Sequence, residues 1–316
     1  MQYIDAQTVH ETLDYASLID ALEQAHHGVM PETANLIADE PEGGPNKFVT
    51  LVGWNQQDII AVKMVGVFPQ NLTLIPPQAS VQGLVCVFDA RTGTPLLAVD
   101  GEAMTFRKTA ADSALGARLL ARRDAETLLI VGAGGLAPHM VAAHRAARPG
   151  IQRVLIWNRT HERAKALASS IEGPVTAQAV ENLDEAVCQA DIISCVTMAE
   201  EPLVKGRLVK PGVHLDLVGA YLPHMRETDD EAMRRGTIFV DTRQGMEGAG
   251  DLARPVRDGV IDWGDVKADF FELCSDVKSG RQSEEEITVC KNVGGAHLDL
   301  FTARLLAERA GRTAVV

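Results

Sequence analysis

Gly132-Ala133-Gly134-Gly135-Leu136-Ala137 has the spacing G-x-G-x-x-A. It follows an apolar run, TLLIVGA, and opens an Ala-rich stretch of helical character. A second apolar run, RVLIWN, comes after it. In that setting the spacing points to a dinucleotide. Glycines let the backbone approach a pyrophosphate, and the helix N-terminus offers N–H groups to its charge. The plain alternative is a tight strand-to-helix turn that holds no ligand. A site for NAD usually ends its second strand with Asp or Glu, which binds the ribose hydroxyls. This chain has Asn158-Arg159-Thr160 there, with Arg163 a little further on. An acid would repel the 2′-phosphate of NADPH, whereas arginine forms paired, charge-assisted hydrogen bonds to it. The expected cofactor is therefore NADPH, with NADH as the alternative.

A second group of residues could bind an anion. Lys63 lies inside an apolar run, IIAVKMVGVF. Burying an ammonium costs several kcal/mol unless it is paired or deprotonated. Such a lysine would bind a carboxylate or move a proton; an edge-strand lysine pointing outward is the alternative. Arg107-Lys108-Thr109 is read as opening a helix of small residues. Cations at a helix start oppose its dipole. They are expected to meet a substrate carboxylate or a cofactor phosphate, or else to be a solvated pair. Metal chemistry is not expected. The nine histidines form no H-E-x-x-H, and His139 and His144 stand about 140° apart on a helix. The five cysteines are odd in number and none form C-x-x-C. They read as reduced, packed thiols of a cytoplasmic protein.

The elements that must hold these residues follow from length and pattern. The 316 residues suggest two domains, with 46% hydrophobic and 23% charged residues in ordinary globular balance. A net charge of −13 disfavours nucleic acid and anionic membrane as partners. No apolar run approaches the roughly 20 residues that span a bilayer, and the N-terminus shows no signal-peptide pattern. Residues 5–29 read as one helix and 31–46 as a loop. FVTLVGW, IIAVKMVGVF and LVCVFDA read as strands, with a hairpin turn at Thr92-Gly93. Helical patterning resumes at 105–122. From Asp124 onward strands alternate with helices, the mark of a parallel, doubly wound sheet. A closing amphipathic helix covers 297–310. The fold class is thus α/β: a Rossmann sheet inserted into an α+β substrate and dimerisation domain.

Several segments together resemble one family, the ornithine cyclodeaminase/mu-crystallin family, over nearly the whole chain. They are AVKMVGVFPQN, VQGLVCVFDARTGTPLLAVDG, RKTAADSALGARLLA, VGAGGLAPHMVAAHRAARP, WNRT and EEITVCKNVGG. LAPHMVAAHRAARP and ADFFELC are most similar to its bacterial Δ1-pyrroline-2-carboxylate reductases. The resemblance implies a substrate and dimerisation domain at 1–113, a Rossmann domain at 114–293 that binds NADP, and a returning helix at 294–316. It implies homodimers joined through the substrate-domain sheets. Lys63 matches the family's active-site lysine. Lys108 falls where the family usually has the arginine that holds the substrate carboxylate, with Arg107 adjacent. Thr33 falls where many members carry another substrate arginine. Tyr221 stands where cyclodeaminases and the archaeal alanine dehydrogenase carry an aspartate that handles nitrogen, and it is expected at the catalytic centre. Thr109, Thr197, Val218 and Gly219 complete the expected cofactor contacts.

The implied activity is reduction of a small cyclic imino acid with NADPH. Δ1-Pyrroline-2-carboxylate, giving L-proline, is the first choice, and Δ1-piperideine-2-carboxylate, giving L-pipecolate, is close in size. The alternatives are an ornithine cyclodeaminase or amino-acid dehydrogenase, and a mu-crystallin-like protein that binds NADPH and an apolar carboxylated ligand.

Overall fold

The computed structural model describes residues 1–56 and 58–311; the last five residues of the expected C-terminal segment lie outside the described residues. In chain order the elements begin with β1 (Gln2–Ile4), α1 (Ala6–Thr12), α2 (Tyr15–His26), β2 (Glu32–Asp39), β3 (Lys47–Trp54), β4 (Ile59–Val67), β5 (Val81–Asp89), β6 (Pro95–Asp100) and α3 (Gly101–Leu120). Next come β7 (Thr127–Val131), α4 (Ala137–Ala147), β8 (Arg153–Trp157), α5 (His161–Ser170), β9 (Thr176–Ala179), α6 (Leu183–Gln189), β10 (Ile192–Cys195) and β11 (His214–Leu217). The last are α7 (Asp230–Arg235), β12 (Gly236–Val240), α8 (Gly250–Arg257), β13 (Val266–Ala268), α9 (Phe270–Cys274), β14 (Ile287–Lys291) and α10 (Ala296–Arg309). The chain divides into two compact units: residues 1–25, 29–109 and 295 onward, and residues 26–28 with 110–294.

The first unit is built on a six-stranded sheet of order β1-β6-β5-β4-β3-β2. Its hairpin partners run antiparallel, and β1 alone joins in parallel. Helix α10 packs on β3 and β4. Three local expectations are corrected. The segment 5–29 is two helices, not one, because Asp14 accepts from the Ser17 N–H at 2.9 Å and starts a second helix. The segment 31–46 contains β2, an edge strand in full register with β3 from Glu32 opposite Trp54 to Asp39 opposite Lys47. Its side chains are almost all exposed, so it carries no burial pattern that a sequence reading could detect. Helix α3 begins at Gly101 rather than Thr105, with Asp100 accepting from the Ala103 N–H at 2.8 Å. Arg107 and Lys108 therefore lie in its second turn, and the dipole argument for an anion at a helix start does not apply to them.

The second unit holds an eight-stranded sheet of order β13-β12-β14-β11-β10-β7-β8-β9. Every pairing in it is parallel. Its strands are apolar on both faces because helices cover both: Leu129, Ile193, Leu215 and Val289 lie buried on one face, and Leu128, Ile130, Ile156 and Ile192 on the other. The order reverses between β7 and β10, which makes the carboxyl ends of these strands the binding crevice of a doubly wound sheet. The α/β class expected from the alternating pattern is the one observed. Among the described residues no helix is long and apolar enough to cross a membrane.

Candidate active site

The glycine motif stands directly after β7 and runs into α4. Gly132 has φ +116°, and a Cβ there would lie 2.9 Å from the Val196 carbonyl oxygen. Only glycine both adopts that backbone and lets the loop after β10 approach so closely. Leu136 precedes α4 without a side-chain cap, and Pro138 lies in the first turn. The helix start is thus closed by no side chain of its own, which suits an anionic pyrophosphate. Gly134 meets nothing within 4 Å of its Cβ position, leaving open space on that side of the loop. The residues present fit a dinucleotide.

Asn158 directly follows β8 and braces this loop. Its Oδ1 accepts from the Ala133 N–H at 3.1 Å, and its Nδ2 donates to the Thr160 carbonyl at 2.9 Å. Arg159 is exposed beside it, and Arg163 is exposed in the first turn of α5. Two cations thus flank the strand end at 158–160, and the acid between them, Glu162, is paired with Lys165 at 2.9 Å, so the surroundings suit a 2′-phosphate.

Further along the crevice, Thr197 follows β10 and Val218-Gly219 follows β11. Both loops are held by Glu227, which the sequence reading did not single out. Its Oε1 accepts from the Thr197 N–H at 2.7 Å and the Thr197 hydroxyl at 2.8 Å, and its Oε2 accepts from the Gly219 N–H at 2.8 Å. Glu227, Asp251 and Lys291 are all fully buried. Asp251 accepts from the Glu227 N–H at 2.8 Å and from Lys291 Nζ at 3.3 Å. Burial, helped by the Asp251 charge and opposed by Lys291, pushes the Glu227 carboxyl up to about 7. Tyr221, two residues beyond Gly219, is half exposed.

In the first unit, Lys63 lies on the buried face of β4 with Ile59, Ala61 and Val65. This decides the alternation that the sequence left open: the lysine points inward. Its ammonium donates to the Thr105 hydroxyl at 2.6 Å and stands 3.6 Å from Asp299 Oδ1. Lys108, one turn beyond Thr105 on α3, donates to Asp299 Oδ2 at 3.1 Å and lies 3.4 Å from the Gly295 carbonyl. Two buried ammonium groups thus share one carboxylate, supplied by α10. Burial pushes Lys63 down to about 8; Asp299 opposes this and the Lys108 charge adds to it. A second carboxylate placed here would complete the charge balance with both lysines protonated.

Arg107 does not join this pair. It donates to His10 Nδ1 at 3.0 Å and to the His10 carbonyl at 2.8 Å, and lies 4.5 Å over the Tyr15 ring. It ties α3 to α1 and α2, and of the two adjacent cations only Lys108 faces Lys63. Thr109 lies half-buried on α3, next to Lys108. Thr33 lies on β2 opposite Gly53, whose Cβ position is 2.7 Å from the Ala296 carbonyl at the start of α10. Asp299 was missed because it sits inside HLDLFTARLLAERA, where an acid reads as one more polar position of an amphipathic helix. Its burial with Leu298 and Leu300 is the signal that sets it apart.

Comparison with known proteins agrees with these features. The model of the ornithine cyclodeaminase/mu-crystallin family matches residues 6–314. The Delta(1)-pyrroline-2-carboxylate reductase of Paracoccus denitrificans is 40% identical over 298 residues, 94% of this chain and 93% of that protein. Protein SAR DEFICIENT 4 of Arabidopsis thaliana is 39% identical over 272 residues, 84% of this chain and 83% of that protein. The solved structure of Thermococcus litoralis Delta(1)-pyrroline-2-carboxylate reductase, in complex with NADH and L-proline, matches with a TM-score of 0.91 at 29% identity, covering 100% of both chains. On its motifs, its fold and a match that runs almost from end to end, the chain belongs to the ornithine cyclodeaminase/mu-crystallin family.

Proposed function

We propose that the protein is a nicotinamide-dependent ketimine reductase acting on a small cyclic imino acid, with Δ1-pyrroline-2-carboxylate to L-proline as the first candidate reaction and Δ1-piperideine-2-carboxylate to L-pipecolate as the second. The observation that carries this reading is the buried pair Lys63 and Lys108 with, among the described residues, Asp299 alone as their shared carboxylate. The pair is one negative charge short, and a substrate carboxylate supplies it. Relatives named for this reaction, one of them solved with NADH and L-proline, support the same reading.

The residues divide the work as follows. Gly132, Gly134, Gly135, Leu136 and Ala137 would hold the pyrophosphate. Arg159 and Arg163 would hold the 2′-phosphate, which favours NADPH over NADH. Thr197, Val218 and Gly219 would line the rest of the dinucleotide. When bound, the cofactor supplies a hydride to the imine carbon beside the carboxylate. The nitrogen must gain a proton to become the amine. Lys63, acidified by burial, is able to give that proton through a water while Lys108 keeps the carboxylate in place. Orientation of two bound partners is the protein's main contribution. Tyr221 carries no carboxylate to accept a proton from an amine, which disfavours ornithine cyclodeamination.

We also propose a homodimer formed through the first unit. Leu36, Ile37, Phe48, Trp54, Val81 and Leu84 are exposed on β2, β3 and β5. An exposed apolar sheet with a free edge strand favours pairing with its own copy. Light scattering at micromolar concentration is expected to give twice the monomer mass.

The activity is tested by following NADPH absorbance with a panel of cyclic and linear imino acids. Rapid oxidation with a cyclic imine is the expected result. Ammonia release from ornithine at a matching rate would replace this reading with cyclodeamination. Binding of NADPH without turnover of any imine would replace it with a ligand-binding role.

A further inference from the structure

We propose that Glu227 is a positioning residue for the nicotinamide half of the dinucleotide: its buried carboxylate ties the loop after β10 to the loop after β11 and so builds the ledge on which that half rests. The inference rests on the reading that a dinucleotide binds at Gly132–Ala137.

The strand order says where the two halves must lie. The glycine loop follows β7, and Asn158-Arg159 follows β8 on one side of it. An adenosine directed to β8 sends the other half across the reversal point, over the ends of β10 and β11. Those ends carry Thr197 and Gly219. Their backbones nearly touch: a Cβ on Gly219 would lie 1.7 Å from the Thr197 carbonyl oxygen and 2.6 Å from Glu227 Oε1. Two loops packed this tightly turn their N–H groups toward the same point, and Glu227 receives both. Its own backbone is held at each end. Its N–H donates to Asp251, and its carbonyl accepts from Leu203 and Val204 at 2.9 and 3.0 Å.

The composition of the network separates positioning from simple core filling. Apolar side chains would fill this volume at less cost than two acids sharing one lysine. Buried polar groups of this kind specify one arrangement of the groups they bind. Here the groups bound are the backbones of two crevice loops, and Lys291 at the end of β14 balances the charge from below. Glu227 touches neither the reacting atoms nor the pyrophosphate loop. Its effect must therefore appear on one half of the cofactor only.

The experiment compares NADPH with 2′-phospho-ADP-ribose, which keeps the adenosine, the 2′-phosphate and the pyrophosphate but lacks nicotinamide. Calorimetry on the wild type and on Glu227→Gln gives both affinities, and thermal unfolding confirms that the variant folds. The glutamine keeps the shape but presents an N–H₂ to one of the donors it should accept from. The expected result is fragment affinity within about twofold of wild type and NADPH affinity lowered about ten- to a hundredfold. In turnover, KM for NADPH should rise more than kcat falls. Equal losses for both ligands, or an unchanged NADPH affinity, would overturn the assignment. Failure of the wild-type protein to bind either ligand would instead overturn the dinucleotide reading and this inference with it.

Should Glu227→Gln not fold, the wild type itself supplies the test. Glu227 is faced by Asp251 from α8, Lys291 from β14 and the Cys195 thiol at the end of β10. Taking up a proton costs it an acceptor. The ratio of NADPH to fragment affinity should therefore fall as pH is lowered from about 8 to about 6, with the 2′-phosphate contribution cancelling between the two ligands. A ratio independent of pH would overturn the proposal.

Discussion

The two units bury mirror-image charge clusters. In the first, Lys63 and Lys108 share Asp299; in the second, Glu227 and Asp251 share Lys291. Both are nearly free of solvent, and each has one charge too many for internal balance. They differ in how the odd group is treated. Glu227 receives three hydrogen bonds from the chain's own Thr197 and Gly219. Lys63 donates to one hydroxyl, that of Thr105, and has a carboxylate oxygen 3.6 Å away, beyond hydrogen-bond reach. Backbone donors arrive with the fold and stay, so the acid cluster is complete as it stands. Among the described residues the lysine cluster has no such third partner, and the proposed function gives that place to a substrate carboxylate. On the proposed reading, the unsatisfied buried charge is the binding site and the satisfied one is the frame.

The comparison can be broken most forcefully at Lys63. Lys63→Met keeps the stem and removes the charge, so the protein should fold and bind NADPH. The lost carboxylate contact should lower kcat/KM by roughly 2–4 kcal/mol, about 30- to 1,000-fold. Near-normal kcat/KM would show that the lysine cluster is also merely structural.

The next largest effect is expected at the cofactor. Arg159→Ala should weaken NADPH by about 1.5–3 kcal/mol and leave NADH unaffected, because the lost partner is the 2′-phosphate. Equal loss for both cofactors would remove the assignment of Arg159.

Lys108 and Arg107 sharpen the distinction between filled and unfilled cations on a single helix. Lys108→Met should raise KM for the imino acid, by less than Lys63→Met lowers kcat/KM. Arg107→Ala should leave kcat/KM close to wild type and cost about 1–3 kcal/mol of stability, since it loses Tyr15 and His10 as partners. A denaturant titration beside steady-state kinetics separates the two outcomes.

The smallest effect is the dependence of stability on pH, where the two clusters should leave opposite slopes. Glu227 titrates at about 7 when folded, above its ordinary value of 4.5. Between these values the native protein holds a proton that the unfolded chain has released, so stability falls as pH rises through that window. Lys63 titrates at about 8 when folded, below its ordinary value of 10.5. Between these values the unfolded chain holds the extra proton, so stability rises with pH. Each slope is at most about 1.4 kcal/mol per pH unit for one proton. Glu227→Gln should flatten the first window and Lys63→Met the second, as read by denaturant midpoints across pH.

Much of the second unit was legible from sequence. Its strands are continuous apolar runs, and its glycine motif is a local backbone requirement that stays readable without the rest of the fold. Strands β9 and β13 give no clear signal: β9, TAQA, is part exposed along its length, unlike the fully buried β10 and β11 of the same length, and β13 has only three residues. In the first unit β2 was missed for lack of a buried face, and the start of α3 was placed four residues late. That shift mattered, because it moved Arg107 and Lys108 from a helix terminus into a helix body.

Sequence by itself determined the α/β class, the glycine-rich strand-to-helix loop at Gly132–Ala137 and the arginines after β8, because each depends on residues close together along the chain. Tertiary structure alone decided which cations work together. Lys108 and Asp299 are 191 residues apart, and Arg107 reaches 97 residues back to His10. Adjacent residues on a helix point about 100° apart, so neighbours in sequence such as Arg107 and Lys108 face different partners. Which partner each one meets depends on how α1 and α10 pack in the first unit, and no local pattern of residue types encodes that.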